Sequence, residues 1–176
     1  MSTQYWEEEI ETMSREKVGA LIVFAREQRL DDYGKTGTTI DAQVSDQLIR
    51  NIFFKNSPLH DGAMIIWDGR IAAAGCVLPL SSNEKLPPEL GTRHRAGVGM
   101  SEATDALVVI VSEESGDISV AKGGMLKRSL EVSTLDKLLR QELCDNTQTP
   151  AEDNFPAQML KKLSGKAKEE KGYGKK

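Results

Sequence analysis

Apolar residues come in short unbroken runs along part of the chain and at helical spacing along the rest. Val18–Ala25 (VGALIVFA) is nearly all apolar and rich in branched residues, which predicts a central strand covered on both faces. Ala63–Trp67 and Arg70–Leu78 flank Asp68-Gly69, the strongest short hairpin signal. Ala106–Ser112 reads as a further buried strand, turned at Glu113–Asp117 into a partner strand, Ile118–Lys122. Asp41–Phe54 places Val44, Leu48, Ile49, Ile52 and Phe53 at helical spacing, with Asp41 as N-cap and Pro58 as the stop. Thr92–Ala103 reads as a helix opening on Gly91-Thr92, with Thr92 as N-cap. Ser133–Leu143 carries a leucine stripe, and Ser133 with Asp136 resembles a capping box. Glu7–Arg15 has few apolar residues and predicts no more than a short helix, and polar Arg26–Thr39 reads as loop. At least five strands, two hairpins and interleaved helices predict an α/β fold (mixed α+β), one domain with a central mixed sheet flanked by helices. Residues 1–13 read as an N-terminal segment, 14–145 as the folded domain, and 146–176 as a flexible lysine-rich tail.

Charge narrows the class of partner. The chain carries a formal charge of -4, but seven lysines and two glutamates between 161 and 176 leave the remainder at -9. Such a body does not coat nucleic acid, so no nucleic-acid partner is expected. An acidic protein that handles an anion must gather its few cations in one place. Cys76 and Cys144 stand far apart in no CxxC pattern, which fits a reducing cytoplasm rather than a zinc site or disulfide framework. No apolar run approaches the roughly 20 residues that span a bilayer, and the acidic start lacks the apolar core of a secretory signal.

Three places carry candidate chemistry. Pro58–Ala63 (PLHDGA) joins a predicted helix to a predicted strand. His60 and Asp61 suit metal binding or proton transfer, while Gly62 and Ala63 leave room for a flat group or a phosphate. The same residues also suit a plain turn, where Asp-Gly serves geometry. Gly91–Arg95 (GTRHR) crowds Arg93, His94 and Arg95 into the first turn of a helix. Cations there oppose the helix dipole, so stability alone would favour Asp or Glu. A phosphate reverses the argument: free N–H groups, the Thr92 hydroxyl and two guanidinium groups would converge on its oxygens. A solvated or carboxylate-paired cluster is the plainer alternative. Ser112-Glu113-Glu114 closes a buried strand with a phosphate-binding hydroxyl and two carboxylates, although acidic strand ends are commonplace on surfaces. Together these residues equip a site for nucleotide phosphoryl chemistry. Neither GxxxxGK[ST] nor GxGxxG after a strand is present, and lone His60 and His94 have no matching serine elbow.

The DGA of Asp61–Ala63 and the RHR of Arg93–Arg95, with GALIVF (Gly19–Phe24), PLHDGAMII (Pro58–Ile66), LGTRHRA (Leu90–Ala96), TDAL (Thr104–Leu107) and VSEE (Val111–Glu114), resemble the signature of bacterial diadenylate cyclases. The likeness runs from Ser14 to Leu143 and is nearest to the membrane-anchored class. It implies a catalytic domain at 14–145 that condenses two ATP into cyclic di-AMP and two pyrophosphates. One ATP per domain and a two-fold product imply a face-to-face homodimer. It implies Asp61, Arg93, His94 and Arg95 as catalytic. Gly62, Ala63, Leu78, Gly91, Thr92, Arg93, Ser112 and Glu113 would bind ATP. His60, Asp61 and Glu114 would hold Mn2+ or Mg2+. A cytoplasmic location, a parent protein anchored by N-terminal helices absent here, a membrane-bound regulator and a phosphoglucosamine mutase partner follow from the same likeness. Gly97 stands where the family more often has alanine, so slight loosening is expected there. A non-catalytic nucleotide sensor, a metal-dependent nucleotide phosphohydrolase and a scaffold are the alternatives. The sensor would tolerate loss of Asp61, the hydrolase would give AMP or ADP, and the scaffold leaves the cations at Thr92 unexplained.

Overall fold

A computed structural model describes residues 3–144. Seven strands form one sheet in the order β2-β4-β3-β1-β5-β6-β7. They are β1 (Ala20–Phe24), β2 (Thr38–Gln43), β3 (Ala63–Trp67), β4 (Arg70–Cys76), β5 (Leu107–Val111), β6 (Ile118–Lys122) and β7 (Met125–Lys127). β1 and β3 pair in parallel, Ile22 beside Met64, and the other described pairings are antiparallel. The helices are α1 (Thr3–Glu16), α2 (Asp31–Gly34), α3 (Asp46–Phe53), α4 (Thr92–Ala103) and α5 (Val132–Leu143).

The wholly apolar strands are buried on both faces, as their runs predict. Ile22 and Phe24 of β1 and Val109 of β5 face a core built with Trp6, Ile10, Ile49, Phe53, Leu135 and Leu139 of α1, α3 and α5. Leu21, Val23, Val108 and Ile110 face a second core with Ala96, Val98 and Met100 of α4. α4 is buried at six successive positions, Ala96–Ser101, so its packing reaches round the helix. α1 is longer than the sparse pattern predicts, and it contributes Trp6, Ile10 and Met13 to the first core. Residues 3–13 are therefore part of the folded body. Trp6 meets Phe24 edge to face, with centroids 5.0 Å apart.

Several predicted boundaries move. Asp41 caps no helix. It sits at φ 47° in a bulge of edge strand β2, where Arg70 donates to its carboxylate and its carbonyl at 2.9 and 2.6 Å. The cap is Ser45, whose hydroxyl accepts from Leu48 N–H at 3.3 Å. The stretch read as loop, 26–39, holds α2 and the start of β2. Glu131, not Ser133, stands at the start of α5, and Asp136 accepts from Arg140 Nε at 2.7 Å instead of closing a capping box. Gly97 has a packing reason. A side chain there would meet Ile110 Cδ1 at 2.8 Å, so the glycine lets helix and sheet approach closely. The expected tail at 146–176 lies outside the described residues.

Candidate active site

One end of the sheet collects the residues singled out from the sequence. Parallel pairing of β1 with β3 and antiparallel pairing with β5 bring together the entry to β1, the entry to β3 and the exit from β5. Ala63 pairs with Cys76, so β4 leaves at the same end and delivers Leu78. Strand register thus puts the motifs at 60–63 and 112–114 at the same end of the sheet, on either side of β1.

The glycine at 62 is conformational. Gly62 has φ 151°, and a Cβ there would lie 2.7 Å from the backbone of Gly75. The room expected at Gly62 is filled by that chain. Ala63 is fully buried and Leu78 is 7% exposed, both in the core beneath α4. Ala63 therefore leaves no open space for a ligand. Beside Leu78, Val77 is 68% exposed, an apolar surface that the sequence reading did not single out. Burial pushes the neighbouring Cys76 thiol up to about 11, so it stays protonated at neutral pH.

α4 starts without a side-chain cap. Its N-cap is Gly91 in extended conformation, not Thr92, which is the first helical residue. Gly91 and Thr92 are exposed, so the first-turn N–H groups face solvent beside Arg93. Arg93 Nη1 lies 3.5 Å from Glu113 Oε1. His94 turns inward, half-buried, its Nε2 3.4 Å from the Ser119 hydroxyl on β6. Burial first, then the charges of Arg128 and Arg93, hold its pKa below the usual histidine value, against an opposing pull from Asp117. Arg128, paired with Glu89 at 3.2 Å, thus stands within electrostatic reach of the RHR turn. It was missed because no local motif marks it. Arg95 N–H donates to the Gly91 carbonyl, and its own carbonyl accepts from Ser81 N–H.

Ser112 is set for donation. Its oxygen accepts from the Glu114 and Ser115 N–H groups, both at 3.3 Å, which leaves the hydroxyl proton to offer outward. Glu113 and Glu114 are exposed on this turn.

A cavity of about 510 Å3 opens beside this end of the sheet. His60, Arg93, Glu113 and Gly19 line one wall, and α1 and α3 line another through Glu9, Met13, Arg50 and Phe53. Glu9 is 7% exposed, and its Oε2 is buried with no hydrogen-bond partner. Burial raises its pKa against the pull of Arg50.

The metal set is thinner than expected. Among the described residues no three His, Cys, Asp or Glu side chains converge as ligands. His60, Asp61 and Glu114 are therefore not gathered into one set; Asp61 and Glu114 are exposed on separate loops. His60 and Asp61 still fit a metal shared with a substrate. His60 Nδ1 lies 2.6 Å from the Ser57 carbonyl, which can only accept, so Nδ1 carries a proton and Nε2 is the ring atom a metal would take. One carboxylate and one imidazole suit Mg2+ or Mn2+ that completes its shell with phosphate oxygens and water.

Comparison with known proteins decides the family. Residues 7–126 match the DAC family, described as DisA bacterial checkpoint controller nucleotide-binding. The chain belongs to the DAC family. It is 47% identical over 146 residues to the cyclic di-AMP synthase CdaA of Bacillus subtilis, covering 83% of this chain and 54% of that protein. It is 49% identical over 142 residues to a diadenylate cyclase of Listeria monocytogenes, covering 81% and 50%. The chain thus spans about half the length of these DAC relatives. The crystal structure of a DacA double mutant from Staphylococcus aureus superposes with a TM-score of 0.78 at 47% identity, covering 80% of this chain and 93% of that one. A hypothetical membrane-spanning protein from Bacillus cereus gives 0.70 at 42% identity, covering 74% and 64%. Among the described residues no helix is long and apolar enough to cross a membrane.

Proposed function

We propose that this chain is the cyclase domain of a diadenylate cyclase. It joins two ATP into cyclic di-AMP and releases two pyrophosphates. One observation carries the reading: an uncapped helix start bearing Thr92 and Arg93 stands against the Ser112–Glu114 turn in a chain of the DAC family. A helix start rich in cations serves a polyanion better than it serves stability.

The 3'-hydroxyl of one ATP attacks the α-phosphorus of the other, the bond to pyrophosphate breaks, and the exchange then repeats in the opposite sense. One domain holds one ATP, so two domains meet face to face about the two-fold axis of the product. Asp61 takes the hydroxyl proton as the attack proceeds. Arg93, Arg95, the first-turn N–H groups and the Ser112 hydroxyl hold the phosphates as charge moves onto the leaving group. His94, neutral and bonded to Ser119, fixes the turn that presents the two arginines. Exposed Val77, next to buried Leu78, gives the adenine an apolar edge. Glu113 holds Arg93 in place, and His60 with Asp61 would hold Mn2+ or Mg2+. When bound there, such an ion would neutralise phosphate charge and polarise the attacking hydroxyl. The membrane anchor, the cytoplasmic location, the regulator and the phosphoglucosamine mutase partner are proposals carried by family likeness alone.

Asp61→Asn tests the reading. Asp61 is exposed, so the fold and melting temperature should hold, while cyclic di-AMP formation falls by about 100-fold or more. Turnover at the parent rate would remove Asp61 from the chemistry.

A further inference from the structure

Gly19 immediately precedes β1, and its lack of a side chain is not explained by backbone conformation. It is absent from the glycines with left-handed φ, so alanine would fit its backbone. It is buried at the head of a strand that otherwise consists of packed side chains. Space explains the glycine. A Cβ built at Gly19 would lie 2.8 Å from both Arg93 Cζ and Arg93 Nη1, and 3.0 Å from Glu113 Cβ. The guanidinium therefore lies where the side chain of residue 19 would otherwise stand. Glu113 forms the other side of the seat, with Oε1 3.5 Å from Nη1.

We infer that Gly19 is a positioning residue: its bare backbone, with Glu113, seats the Arg93 guanidinium that receives the nucleotide phosphate. The identity of the ligand rests on the cyclase reading, while the seat itself is a matter of packing. Cζ and Nη1 are the free end of a flexible side chain. A methyl group at residue 19 would move the guanidinium aside more readily than it would disturb the fold. A purely structural glycine would behave in the opposite way, losing stability and leaving phosphate binding alone.

The test combines Gly19→Ala, Arg93→Ala and the double variant. Each is titrated with ATP and melted, and the crystal structure of Gly19→Ala is determined. Gly19→Ala should weaken ATP binding about tenfold, the scale of one charge-assisted contact, with the melting temperature within about 2 °C of the parent. The double variant should bind no more weakly than Arg93→Ala alone, because the two changes remove one interaction. In the crystal, Arg93 should have left Glu113. Additive losses of affinity, or Arg93 still seated against Glu113 in Gly19→Ala, would overturn the inference. A parent chain that binds no ATP would overturn the cyclase reading instead, and the crystal structure would still decide the seat.

Discussion

His94 shows how much a residue's surroundings alter its chemistry. Between two arginines in the first turn of α4, it reads in the sequence as a third cation for phosphate. Its burial and the charges of Arg128 and Arg93 instead favour the neutral imidazole. The unfolded chain then binds the proton more readily than the folded one, so stability is lost as pH falls below about 6.5 and is regained on raising it. The melting temperature should drop between about pH 7 and pH 5, and His94→Gln, which keeps a hydrogen-bonding group for Ser119, should remove part of that drop. An unchanged pH profile in the variant would contradict the assignment. At this scale the motif residues were legible, because their types and close neighbours already suggest chemistry. Gly19 and Arg128 were not, since their contacts join segments far apart in the chain. His60, Asp61 and Glu114 are not gathered into one set for the same reason: a motif does not fix where loops place carboxylates.

At the scale of elements, the two glycines of α4 make opposite demands. A methyl at Gly97 would press on the end of the Ile110 side chain, which can yield. A methyl at Gly99 would run into the Pro79 carbonyl and lie 2.7 Å from Ser81 N, both backbone atoms. Gly97→Ala should therefore change stability by less than about 1 kcal/mol, helped by the better helix former. Gly99→Ala should cost about 2–3 kcal/mol, as overpacking against a rigid neighbour does. Chemical denaturation of both variants checks the contrast, and equal effects would refute it. The central strands were legible because burial on both faces leaves a continuous apolar run. β2 was not: it is an edge strand with exposed Thr38 and Thr39 and a bulge at Asp41, so its pattern is polar. α1 was underrated because Trp6, Ile10 and Met13 make a thin stripe that reads as a helix face only once a core is present to receive it.

At the scale of the whole molecule, the sheet order decides which motifs meet. The α/β class with a mixed sheet followed from alternating runs and hairpin signals, whereas the pairing of β1 with both β3 and β5 could not be read from any local pattern. On the proposed cyclase reading, one domain carries one turn for phosphate, one Asp61 and one His60, and a product made of two identical halves would need two domains. The most direct test incubates the purified chain with ATP and Mn2+ over a range of protein concentrations, with products separated by mass and the monomer fraction followed by sedimentation. Cyclic di-AMP should be the main product, at a specific rate that rises as monomers give way to dimers. AMP or ADP as the main product, or cyclic di-AMP made at an undiminished specific rate by monomers, would contradict it.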